Sequence, residues 1–86
     1  MAMNFDTISV TTTATEIVAS NDRRKNLVLH NVGANPIYIG SDNSVTTALG
    51  YPIYNGEKFY CNDYTGVIYG IVAASTEDIQ FIEEER

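Results

Sequence analysis

Apolar and polar positions alternate along this chain in short runs, separated by Gly, Asn, Asp and Ser. Residues 5–10 place Ile8 and Val10 on one side of an extended segment and Thr7 and Ser9 on the other, the period-two pattern of a half-buried strand. Residues 15–19 predict a second short strand, ended by the turn-forming Ser20, Asn21 and Asp22. The strongest early strand covers 26–32, with Leu27 and Leu29 on one face and Val28, His30 and Val32 on the other. Pro36 opens a strand at Ile37, Tyr38 and Ile39, a position where a missing N–H removes no central ladder bond. Further strands are expected at 45–49, 51–54, 57–61, 67–73 and 79–82. Asn55-Gly56 between two of these runs predicts a hairpin, because both central positions of a type I′ turn need positive φ. The residues from Glu83 to Arg86 are expected to form a solvated tail.

Strands this short and this evenly spaced predict an all-β fold. The expected form is a small antiparallel β-sandwich of jelly-roll type, or a partly open barrel, of about eight short strands. One domain should cover residues 1–86, with 1–4 and 83–86 as flexible or interface-forming ends. A chain of this length buries only roughly 60–65% of the surface it exposes when unfolded, so its core is thin and oligomerisation would add to it. The 44% of apolar residues, rich in Val, Ile and Tyr, suit pleated surfaces better than helices.

Two strands break the alternation. In 67–73 one face carries Val67, Tyr69, Ile71 and Ala73, and the other carries Ile68, Gly70 and Val72. In 26–32 the face of Val28, His30 and Val32 is also largely apolar. Either loops of the same chain shield these second faces, or a second subunit covers them.

Charge narrows the function classes. Eleven acidic and five basic residues give a net charge of −6, which repels nucleic acid and leaves no basic stripe for phosphates. No apolar run approaches a membrane span, and Met1 to Val10 lacks the basic start of a signal peptide, so neither membrane nor secretory partners are expected. Chemistry is sparse. The single His30 and the single Cys61 come with no third orienting group for nucleophilic catalysis. They also make too few ligands for a zinc site. Asp42-Asn43 and Asn62-Asp63 lack the spaced carboxylates of a calcium loop. No catalytic, cofactor or metal residues are expected.

Three of the five basic residues cluster at Arg23, Arg24 and Lys25. They are either an exposed loop leading into a strand or a docking contact for an acidic patch, where the Arg fork holds a carboxylate by two bonds. Among six tyrosines, Tyr64 lies in the turn 62–66 and is the one expected to be exposed. Arg23, Arg24, Lys25, Val28, His30 and Tyr64 are therefore the candidate assembly-interface residues.

One stretch carries a resemblance. Arg-Lys-Asn-Leu-Val-Leu-His-Asn-Val-Gly (24–33), Asn-Pro-Ile-Tyr-Ile-Gly (35–40), Val-Thr (45–46), Gly-Tyr-Pro-Ile (50–53) and Asn-Gly-Glu (55–57) resemble a pattern of small structural proteins of tailed bacteriophages. The resemblance implies a non-enzymatic virion component made in the host cytoplasm. Its first form is a capsid decoration or cement subunit that binds the head lattice, with the major capsid protein as the larger partner. The alternative within the same resemblance is a tail, fibre-base or baseplate module; apart from it, exposed Tyr, Asn and Asp side chains would suit a receptor- or carbohydrate-binding β domain. The self-partner would be a cyclic homo-oligomer, a trimer matching the local symmetry of many head lattices.

Overall fold

The computed structural model of the chain describes residues 2–86, and these form strands and turns without a helix. In chain order the strands are β1 (Met3–Val10), β2 (Thr15–Val18), β3 (Arg24–Asn31), β4 (Ile37–Gly40), β5 (Tyr51–Ile53), β6 (Lys58–Asn62), β7 (Ile68–Ile71) and β8 (Glu77–Glu85). They make two four-stranded sheets, ordered β1-β8-β3-β6 and β2-β7-β4-β5. Every neighbouring pair is antiparallel. This interleaved order is that of a jelly roll, in which consecutive strands lie in opposite sheets except for the neighbours β4 and β5. The alternative of a barrel is excluded, because the two sheets do not join at their edges.

The core lies between the sheets. Leu27, Leu29 and Ile79 project from the first sheet onto Ile17, Ile37, Ile39, Ile53 and Ile68 from the second, with Val10, Val18 and Val72 closing the ends. Burying each such branched side chain stabilises the fold by roughly 1.5–3 kcal/mol. The neighbours Ile17 and Val18 are both buried, which strict alternation forbids. A register shift between Glu16 and Val18 resolves this by turning both inward.

Four expectations need correction. Residues 45–49 form no strand: Val45 and Gly50 are held in turns by the carbonyls of Asp42 and Thr46. The Asp42 carboxylate also accepts the Ser44 N–H, so local side-chain bonding outcompetes the ladder. Asn55-Gly56 joins no hairpin, since β5 pairs with β4 in one sheet and β6 pairs with β3 in the other. Only Gly56 has positive φ (78°), and the Glu57 N–H reaches the Tyr54 carbonyl at 2.9 Å, the pattern of a type II turn at a corner between sheets. The last strand does not stop at Ile82 but runs to Glu85. At the other end β1 starts at Met3, so residues 3 and 4 are paired strand; Met1 lies outside the described residues.

Candidate assembly surface

The six residues singled out from sequence separate into three environments. Arg24 is buried completely. Alternation would place it on the outer face with Asn26 and Val28, but a bulge between Arg24 and Asn26 makes Lys25 the extra residue and turns Arg24 inward. Its Nε donates to Glu83 Oε2 at 2.6 Å, Nη1 donates to the carbonyls of Tyr64 (3.0 Å) and Gly66 (2.9 Å), and Nη2 donates to the carbonyl of Ala19. Glu83 also accepts from Asn4 and Asn21. Burial pushes the Glu83 carboxyl up, but the bonds from Arg24, Asn4 and Asn21 and the Arg24 charge outweigh it and hold the group below its ordinary range. Arg24 is thus an interior pin between the first sheet and the 19–21 and 64–66 turns, and its fork is closed to any docking partner. Glu83, read from sequence as solvated tail, is the pin's other half.

Arg23 and Lys25 remain exposed beside it. Arg23 donates to the Arg86 carbonyl at 2.8 Å and lies 3.9 Å from Glu85, so it fastens the chain's end. Tyr64 is half-buried rather than exposed: its ring packs against the core and its hydroxyl donates to the Val67 carbonyl at 2.8 Å. The opposite end of β3 carries a second polar pin. Buried Asn31 donates to the carbonyls of Asn35 and Ile53, and Glu77 accepts from Asn35 and the Ala34 N–H. Those bonds, the Asn35 amide first, hold the Glu77 carboxyl below its usual range.

Val28 and His30 are the two residues that face outward from the middle of the first sheet. The register places Val28 opposite Ile82 on one side and Tyr60 on the other, and Ile82 in turn opposite Phe5. An apolar row, Phe5-Ile82-Val28-Tyr60, therefore crosses all four strands on the outer face. Phe5 is 75% and Tyr60 66% exposed. On one side of it runs Thr7-Gln80-His30-Lys58, and on the other Met3-Glu84-Asn26-Asn62. A groove of about 560 Å³ lies over the first of these flanks, with Phe5, Val28 and Ile82 along its side. Sequence reasoning found Val28 and missed Phe5, Tyr60 and Ile82. Their signal was phase: Phe5 is out of step with Ile8 and Val10, and Ile82 with Ile79.

The chemistry of a nucleophile is not assembled. His30 faces out from β3 and Cys61 faces in from the adjacent β6, so the sheet itself separates them. Burial pushes the Cys61 thiol up, against a weaker downward pull from the Arg24 charge, and an uncharged thiol is a poor nucleophile. Among the described residues no three His, Cys, Asp or Glu side chains converge as metal ligands.

No protein-family model and no curated protein matches this chain. A solved structure of Bacillus endospore appendages, which form a novel family of disulfide-linked pili, is similar in fold. It aligns with a TM-score of 0.52 and 16% identity over 98% of this chain and 87% of that one. At that identity the likeness concerns the sandwich alone.

Proposed function

We propose that this chain is a non-enzymatic structural subunit of a multi-copy particle, first of all a capsid decoration or cement subunit of a tailed bacteriophage. The observation that carries the structural role is the apolar row on the outer face of the first sheet. Cross-strand neighbours of this kind are usually covered, and uncovered on a small acidic sandwich they mark a contact surface. Jelly rolls serve as capsid domains in many viruses, which agrees with the reading but does not carry it, because fold alone does not specify function. The phage context rests on the residues between Arg24 and Glu57 that resemble small virion proteins.

A fibre subunit is a second reading, favoured by the likeness to the endospore appendage pili. Disulfide linkage of that kind fits this sequence poorly. One cysteine can join copies in pairs and not in chains, and Cys61 is half-buried on the inner side of its sheet.

Imaging and mass spectrometry of purified phage particles test the first reading. The chain should be present at high, lattice-determined copy number. A few copies at one vertex would move it to the tail, and absence from the particle would remove the phage reading.

A further inference from the structure

We propose that the outer face of the first sheet is a self-association surface on which a second copy of this chain packs, related by a two-fold axis running along the Phe5-Ile82-Val28-Tyr60 row. The inference rests on the reading of the chain as an assembly subunit and names the partner and geometry of that surface. Rotation about the row lays one apolar row along the other and exchanges the two polar flanks. The flank of Thr7, Gln80, His30 and Lys58 then meets the second copy's flank of Met3, Glu84, Asn26 and Asn62.

Charge selects this arrangement. Arg23, Arg24 and Arg86 all have carboxylate partners within the chain, whereas Lys25 and Lys58 have none among the described residues, and of these two only Lys58 lines the groove. Lys58 and His30 line the groove beside the row. The two-fold brings Glu84 of the second copy over Gln80, two strand spacings or about 10 Å from Lys58, a gap the two long side chains span together; within its own chain Glu84 Oε1 accepts from Asn26 at 2.7 Å, which leaves Oε2 for the contact, and symmetry makes the contact twice. Each copy carries a net charge of −6, so like copies repel unless such local pairs form. A two-fold axis along the strands instead would set Lys58 against Thr7 and leave the grooves facing each other unfilled.

The size of the face agrees. Four strands at ~4.8 Å spacing and eight residues at ~3.4 Å rise give roughly 500 Å² per copy, so a pair buries roughly 1,000 Å², the lower end of specific interfaces. Such a pair is weak in solution, with a Kd of roughly 10–100 μM, and becomes effective where a lattice holds many copies.

Sedimentation velocity of the full chain over a concentration series tests this. The wild type should pass from monomer to dimer across that range. Phe5→Ser should weaken pairing by at least about tenfold. Its circular dichroism and melting curve should stay close to those of the wild type, because the side chain is 75% exposed and lies beside only Ile82 across the strands. K58E and E84K should each weaken pairing several-fold, and the double swap K58E/E84K should restore it. A chain that stays monomeric well above that range, a trimer, or a dimer indifferent to Phe5→Ser and to the charge swap would overturn the two-fold self-pairing. Binding of the monomer to purified capsid lattices without self-association would assign the face to a different partner and overturn it equally. None of these results touches the presence of the chain in the particle, which stands or falls on the imaging experiment.

Discussion

The two sheets carry apolar side chains on their outer faces, but only one of those faces is covered. On the second sheet Tyr38, Pro52, Tyr69 and Ile71 are all half-buried. The ten-residue connection from β4 to β5 folds back onto β4, setting Val45, 8% exposed, against Gly40 and Gly50 against Tyr38. A Cβ at Gly40 would lie 3.0 Å from the Val45 side chain, and one at Gly50 would lie 2.7 Å from Cβ of Tyr38. Glycine at these two positions is what lets the loop lie flat on the sheet. The first sheet has no such strap, and Phe5 and Tyr60 stay open to solvent. An apolar outer face can therefore be finished within the chain where a long connection passes over it. Where connections are short, as around the first sheet, it stays open.

The interior sets the scale for testing this comparison. Arg24→Ala should destabilise the fold by about 3–5 kcal/mol, because it strands the buried Glu83 carboxylate, and R24M/E83L should recover much of the loss. Urea denaturation measures both. The same pair should show in acid. Glu83 has a depressed pKa in the fold, so its contribution is present above its unfolded pKa near 4.5 and is lost as pH falls through the lower folded value. Glu83→Gln should remove that part of the acid dependence in a pH series of denaturation curves, while lowering stability at neutral pH.

Next in size is the contrast between the faces. Val45→Asp, under the strap, should cost about 2–4 kcal/mol, since it buries a charge without a partner. Phe5→Asp, on the open face, should cost less than about 1 kcal/mol. Equal losses would break the distinction between covered and uncovered faces. Gly50→Ala should cost about 1–3 kcal/mol by forcing the loop away from Tyr38 and the Thr46 carbonyl. If thermal melting shows Gly50→Ala to be neutral, the loop is not seated on the sheet. The smallest change is Lys25→Ala, within about 0.5 kcal/mol, because the residue is an exposed bulge that keeps its backbone bond to Asp63.

Strand identity was legible wherever a short run of β-branched, aromatic or alternating residues stood between turn signals. β1, β3, β4 and β7 lie close to where those runs put them, since their inward residues supply the core whatever the strand order. The errors share a cause. At Lys25 and at residues 45–50 the backbone departs from period two, through a bulge in one place and side-chain-bonded turns in the other, and neither leaves a hydrophobic signature. Asn55-Gly56 was recognised as a turn, but a turn that reverses within a sheet and one that crosses between sheets use the same residues.

The sequence by itself determined that this protein is a small all-β fold with a net acidic charge and more apolar strand faces than one core can absorb, and the choice of sandwich over barrel came from the strand order. Composition and period-two patterning act residue by residue, so they need no knowledge of which strands meet. Tertiary structure alone decided which excess face is covered, that Arg24 and Glu83 meet across 59 residues of chain, and that Phe5, Ile82, Val28 and Tyr60 line up in one row. Each of those depends on strand order and register, and these arise from the packing of the whole chain and not from any local stretch of it.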